Sequence, residues 1–172
     1  MDPYVVRAAR PADVAALPGI EDAAAARFAG LPMQDAVLAD STSLADFRHA
    51  QQQGLLWVAT TGAGVVVGFA LVEICDGNAH LDEIDVLPAH GRRGVGAALV
   101  AAVRAAARAR GCAAVTLTTY RDVAWNAPFY ARQGFRVLPA DEWTPGLHAL
   151  VEREDARGLR RQDRVVMRCA VN

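Results

Sequence analysis

Apolar and polar positions change period several times along this chain, and the changes mark its elements. Tyr4 to Ala8 reads as a first strand, after which Pro11-Ala12-Asp13 opens an Ala-rich helix running to about Phe28 and ended by Gly30-Leu31-Pro32. A second helix is predicted over about Ser43 to Gln53, with Ser41 or Ser43 as its cap and Gly54 as its stop. Leu55 to Thr60 and Val65 to Cys75 are β-rich runs joined by Thr61-Gly62-Ala63-Gly64, a hairpin signal. A second hairpin turns at Asp76-Gly77-Asn78 and returns along Ala79 to Val86. An Ala-rich helix follows from Gly94 to Arg110, with Arg104, Arg108 and Arg110 on a solvated face and Gly111 as its end. Ala113 to Thr119 then reads as a strand. The strand-helix-strand crossover makes it a parallel neighbour of the strand that ends at Val86.

The remaining segments predict a short helix around Trp125 to Gln133, a strand from Phe135, a helix near Leu147 to Arg157 and a final strand Arg164 to Cys169. Asp141 to Arg161 is long for a connection between strands. Its Trp143, Pro145 and His148 either line a substrate site or pack a surface helix. There is no internal repeat or low-complexity linker, and 172 residues suit one domain, 1–172, with a full core.

The junction between the strand ending at Val86 and the helix after it carries the strongest chemical signal: Gly91-Arg92-Arg93-Gly94-Val95-Gly96-Ala97. A glycine turn into a helix N-terminus leaves several backbone N–H groups aimed at one point, where the helix dipole adds to their attraction for an anion. Gly94 and Gly96 let a diphosphate approach the main chain, and Arg92 and Arg93 add charge at the rim. A P-loop is excluded, because it needs a lysine and the chain has none. The dinucleotide fingerprint fits poorly, since Leu99 stands where its third small residue belongs. Val86-Leu87-Pro88 followed by Arg92 to Ala97 instead resembles the pyrophosphate loop of the GNAT acyltransferases, [Q/R]-x-x-G-x-[G/A], with Gly91 in place of the Gln/Arg.

A second segment, Trp125 to Phe135, ends in F-Y-x-x-x-G-F and resembles the last GNAT motif, in which the tyrosine faces the thioester sulfur. Aminolysis of a thioester expels a thiolate, and a phenol with a pKa of about 10 can protonate it at neutral pH. The resemblance thus assigns Tyr130 as general acid; the alternative is an amphipathic-helix residue with its hydroxyl at the surface. Against the commoner family spacing, Val123 occupies the Asn position and Asn126 the Ala position. Asn126 either contacts the cofactor from the face of Tyr130 or caps the helix.

An amine nucleophile needs a base. The strand before the glycine loop carries Asp82, Glu83 and Asp85 in a segment that otherwise reads as core, and charges there suggest a wet cleft. Alternation puts Glu83 and Asp85 on one face and Asp82 on the other. GNAT enzymes often use a carboxylate of this strand, which makes Glu83 the expected base ahead of Asp82; the alternative is that these acids are salt-bridged or solvated. The resemblance also implies that a main-chain amide at Val86 or its neighbour polarises the thioester carbonyl.

Composition narrows the partners. A net charge of -1 gives no electrostatic case for nucleic acid. Cys75, Cys112 and Cys169 are odd in number and widely spaced, which argues against a disulfide framework or a metal site. No apolar run reaches the roughly 18 residues of a membrane span and no leader is evident, so a cytoplasmic, bacterial-type protein is expected. The acidic strand favours a cationic acceptor, while Arg121 and Asp122 leave room for a carboxylate-bearing one.

The order of elements matches the GNAT fold, and the resemblance covers nearly the whole chain. It implies an α/β (α+β) architecture with a mixed sheet of about seven strands flanked by helices, and acetyl transfer from acetyl-CoA to a primary amine by direct attack in a ternary complex. Val86, Gly91 to Ala97 and Asn126 are the expected coenzyme A contacts, and no metal is expected. A small-molecule amine is the expected acceptor. Protein or peptide N-terminal acetylation and a non-catalytic acyl-CoA-sensing module are the alternatives, and a homodimer is left open.

Overall fold

The computed structural model describes residues 4–171. Its seven strands hydrogen-bond in the order β1-β2-β3-β4-β5-β7-β6: β1 is Val5–Ala8, β2 Leu56–Thr60, β3 Val66–Cys75, β4 Asn78–Val86, β5 Ala114–Tyr120, β6 Arg136–Val137 and β7 Arg164–Ala170. β4 and β5 are parallel, joined by helix α4, Val95–Ala109, and the pairs β1/β2, β2/β3, β5/β7 and β6/β7 are antiparallel. The mixed α/β sheet expected from the sequence is therefore present.

The fold divides into two units, Met1–Glu73 with Asp82–Val103 and Ile74–Leu81 with Arg104–Asn172. In the first, the segment expected as one helix from Pro11 to Phe28 is broken into a 3-10 turn Pro11–Ala16, helix α1 Leu17–Ala25 and a 3-10 turn Ala26–Phe28. Pro18, at the start of α1, has no N–H to give the preceding turn, so regular α-helix begins only there. Asp13 fixes the entry. Its carboxylate accepts from Arg7 at 2.6 and 3.0 Å and from the Arg10 N–H at 2.6 Å, which holds its pKa below the ordinary value.

A helix absent from the sequence reading follows: α2, Gln34–Ala39, only six residues and too short to show a period. Helix α3, Leu44–Gln52, starts at Ser43 rather than Ser41, because the Ser43 hydroxyl accepts the Asp46 N–H at 3.1 Å. These elements close over β2 and β3 with Val14, Leu17, Ile20, Phe47, Leu56, Val58 and Phe69 buried together. Phe47 and Phe69, both fully buried, meet edge to face at 5.2 Å.

In the second unit β5 pairs with β7 along its whole length, from Ala114↔Ala170 to Tyr120↔Arg164. β6 is two residues, much less than the strand expected from Phe135. Helix α5 is Ala127–Arg132, and the long connection folds as a 3-10 turn Ala140–Glu142 and helix α6, Pro145–Ala156. Thr144 caps α6 and Pro145 takes its first position, so this proline starts a helix. Trp143 gives its indole N–H to the Leu138 carbonyl at 2.9 Å and packs against Leu138, Leu147, Val151 and Val166, with His148 at 5.2 Å. Trp143 thus packs into this cluster while Pro145 starts the helix.

One glycine sets how closely β3 and β4 lie. A Cβ on Gly68 would come within 2.7 Å of the Asp85 carbonyl oxygen and 3.2 Å of Val86 Cγ2. Gly68→Ala is expected to destabilise the protein by about 1–3 kcal/mol, as overpacking does. Urea unfolding measures this, and an unchanged midpoint would show that β4 gives way freely.

Candidate active site

The glycine turn is built as its residues suggest. After β4 a 3-10 turn, Pro88–His90, brings the chain to Gly91, and Arg92 and Gly94 follow with φ of 58° and 83°. A non-glycine residue in the left-handed region is uncommon, and alternating backbone handedness points successive N–H groups into one concavity. The helical ladder of α4 begins with the Ala98 N–H to the Gly94 carbonyl at 3.0 Å. The N–H groups of Val95, Gly96 and Ala97 therefore precede the ladder at the positive helix end. Arg92, Arg93 and Gly94 are exposed, with nothing within 4 Å of a Cβ built on Gly94. Backbone donors, open approach and two guanidinium groups fit a diphosphate. Tyr4 Oη lies 2.8 Å from His90 Nδ1 and ties the turn to the residue before β1.

The end of β4 also selects a main-chain donor. The Leu87 N–H is taken by the Val67 carbonyl at 2.9 Å, so alternation turns the Val86 N–H to the edge of β4 away from β3. Of Val86 and Leu87, the Leu87 amide is the one committed to β3.

Glu83 and Asp85 lie two residues apart on one side of β4, both half-buried, and interact through their side chains. Two residues that the sequence did not single out join them. Thr42, in the link 40–43 between α2 and α3, donates its hydroxyl to Glu83 Oε2 at 3.0 Å, and its N–H donates to Glu21 Oε1 at 2.8 Å. Glu21, on α1, is 6% exposed. Burial, then the Asp85 and Glu21 charges, push Glu83 well above the ordinary carboxylate range. Burial likewise raises Asp85 to about 7, against the hydrogen bond from Glu83 and the charge of Arg27. Glu83 and Asp85 thus titrate as a pair that still retains at least one proton at neutral pH. Asp82 is exposed and alternates to the other face.

In the second unit Tyr130 is buried, 7% exposed. Its ring meets Phe129 at 5.0 Å and Phe135 at 5.8 Å. The closing Gly134-Phe135 has a backbone cause. Gly134 has φ of 88°, its N–H donates to Ala131, and the Phe135 N–H reaches the Tyr130 carbonyl at 3.1 Å. This is a Schellman ending, whose customary apolar contact is Phe135 on Tyr130. Asn126 stands at the N-cap of α5, but its side chain does not cap the helix: Nδ2 donates to Thr119 Oγ1 at 2.8 Å and ties α5 to β5. That corrects the capping alternative. Arg121 is exposed and turned onto the Arg164 carbonyl at 3.4 Å.

The Acetyltransferase (GNAT) family model matches residues 24–135. This chain belongs to the GNAT family. Solved structures of similar fold include PaiA N-acetyltransferase from Thermoplasma acidophilum bound to coenzyme A, 16% identical over 98% of this chain and 99% of that one, TM-score 0.72. A Mycobacterium tuberculosis protein, solved with coenzyme A, is 23% identical over 96% and 98%, TM-score 0.71. The ribosomal-protein-S18-alanine N-acetyltransferase of Escherichia coli is 18% identical over 98% and 94%, TM-score 0.67. As a GNAT protein the chain is an acetyl-CoA-dependent acyltransferase. No helix among the described residues is long and apolar enough to cross a membrane.

Two measurements bear on this geometry. In Gly94→Glu a carboxylate replaces the open approach at a positive φ, and calorimetry should show acetyl-CoA affinity falling at least tenfold; wild-type affinity would remove the diphosphate from this turn. The acid pair sets a stability trend. Because the folded pKa values are raised, the folded state holds protons that the unfolded chain releases, so the pair's contribution falls as pH climbs from about 4 through 7. Glu83→Gln can still accept from Thr42 and donate to Asp85. It is expected to raise Tm at pH 8, by about 2–4 °C per kcal/mol relieved, and to flatten the decline. A lower Tm at pH 8 would show that the pair is not strained.

Proposed function

We propose that the chain works as a single catalytic domain that acetylates a primary amine of a small cationic molecule by direct attack in a ternary complex. The observation that carries this reading is the Glu83–Asp85 pair on one face of β4, immediately before the diphosphate-type turn. A negative site attracts ammonium groups, and a pair titrating near neutrality can take the proton an amine must lose.

In the proposed reaction acetyl-CoA is held through its diphosphate by the N–H groups of Val95, Gly96 and Ala97, with Gly91, Arg92, Arg93 and Gly94 shaping the turn. The Val86 N–H polarises the thioester carbonyl. The amine nitrogen attacks the carbonyl carbon, forming C–N as C–S breaks. The amine proton passes to the Glu83–Asp85 pair, and the thiolate of coenzyme A takes a proton from the Tyr130 hydroxyl. Asn126 holds α5 on β5 and so fixes the start of the Tyr130 helix. None of Cys75, Cys112 and Cys169 lies in these motifs, which favours direct transfer over an acyl-enzyme.

Release of free coenzyme A thiol across a panel of amines, polyamines, amino acids, aminoglycosides and peptides tests the substrate class. Turnover confined to peptides would replace the small amine with a protein N-terminus, and tight acetyl-CoA binding with no turnover would make the chain a sensor. With an acceptor found, Tyr130→Phe should lower kcat by roughly 10²–10⁴-fold with little change in acetyl-CoA affinity. Wild-type turnover would return Tyr130 to packing. Activity should rise with pH through about 7 as the pair loses its second proton. Glu83→Gln and Asp85→Asn should each remove or displace that acidic limb while Asp82→Asn leaves it. Wild-type profiles for both pair variants would rule the pair out as base.

A further inference from the structure

We infer that Thr42 is a positioning residue for the base: its hydroxyl orients Glu83 and stabilises the ionised state of the Glu83–Asp85 pair, and Glu21 holds Thr42 in place. The inference rests on the reading of that pair as the proton acceptor.

Thr42 lies in a link of four residues, 40–43, with no regular structure of its own. Both ends of the link are fixed. The Asp40 N–H donates to the carbonyls of Ala36 and Val37 at 3.1 and 3.3 Å, closing α2. Ser43 and Asp46 exchange hydrogen bonds at 2.6 and 3.1 Å, opening α3. Between these points the Thr42 N–H is given to a side chain, Glu21 Oε1 at 2.8 Å, and not to the backbone. That carboxylate comes from an almost fully buried residue of α1, where an unpaired charge is costly, so the bond fixes the link to the helix core.

A link pinned through its main chain can aim its side chain. The Thr42 hydroxyl donates to Glu83 Oε2 at 3.0 Å, across 41 residues of sequence. A β-branched side chain has restricted χ1 freedom, which makes this donor stiff. The Glu83 carboxyl group also hydrogen-bonds with Asp85, so its orientation sets how the two share a proton. A neutral donor to a carboxyl group favours its charged form, so Thr42 opposes the effect of burial and of the neighbouring acids. The charged groups acting on Glu83 are Glu21 of α1 and Asp85 of β4; Asp22 acts on Glu21, and Arg27 acts on Asp85. Only Arg27 is positive among these, and Thr42 is the side-chain donor that addresses Glu83 itself.

The test compares Thr42→Val, which keeps shape and N–H but loses the hydroxyl, with Thr42→Ser, which restores it. Thr42→Ala, lacking the hydroxyl as well, stands in should the valine variant fold poorly by circular dichroism. Carboxyl ¹³C NMR of glutamate-labelled protein follows the Glu83 titration in the free enzyme and needs no acceptor. The expected result is a midpoint about one pH unit higher in Thr42→Val and wild-type in Thr42→Ser. The acidic limb of kcat/KM, measured with the amine identified by thiol release, should move in the same direction and by a similar amount. A wild-type Glu83 midpoint in Thr42→Val, or a loss of activity equal at all pH values and unrelieved by serine, overturns the inference. Failure of the base reading looks different: Thr42→Val still shifts the NMR midpoint, but Glu83→Gln leaves the acidic limb where it was.

Discussion

Two carboxyl groups on one face of a partly buried strand cannot both ionise near neutral pH without a large electrostatic cost, and this constraint organises one end of β4. Glu83 and Asp85 are two residues apart, with Glu21 behind them and Thr42 donating from the side. In a medium less polar than water the repulsion is met mainly by retaining a proton, with the Arg27 charge giving a smaller relief at Asp85. The result is an Asp85 raised to about 7 beside a Glu83 held well above the ordinary carboxylate range.

The same strand leads toward the glycine turn. β4 runs from the buried His80, which bonds Thr116 at 2.9 Å, to Val86 and then directly into the diphosphate-type turn. Gly68 keeps β3 close against Asp85 and Val86, and the Leu87 N–H is taken up by Val67. The backbone at the end of β4 is thereby fixed on one side, and its remaining N–H is directed to the other. Glu83, Asp85 and Val86 thus share one short stretch of a single strand.

Polar side chains in this chain are divided between chemistry and structure in a way that residue type does not reveal. Asp13 lies in a bidentate bond with Arg7 and its pKa is lowered; Glu83 is raised. Glu154, a buried residue of α6, accepts from Thr118 and Arg164. Asn126, with the composition of a helix cap, spends its amide on Thr119. In each case the partner, not the residue, decides the role.

Local physics made much of the protein legible in its sequence. Glycines at 54, 94, 111 and 134 stop or start elements because each sits at a positive φ that other residues enter at a cost. Alternation along 79–86 put Glu83 and Asp85 on one face, and the crossover rule paired β4 with β5. The F-Y-x-x-x-G-F ending is a Schellman motif written in sequence. What only the tertiary structure decided is what depends on distant neighbours. Helix α2 is too short for its period to be seen, and Pro18 breaks the first helix where the alanines suggested continuity. Asp85 shares a proton with Glu83, and Thr42 and Glu21 meet it from two other segments. Hydrogen bonds and desolvation act through space, so residues 21, 42 and 83 have no relation in the sequence until the chain folds them together.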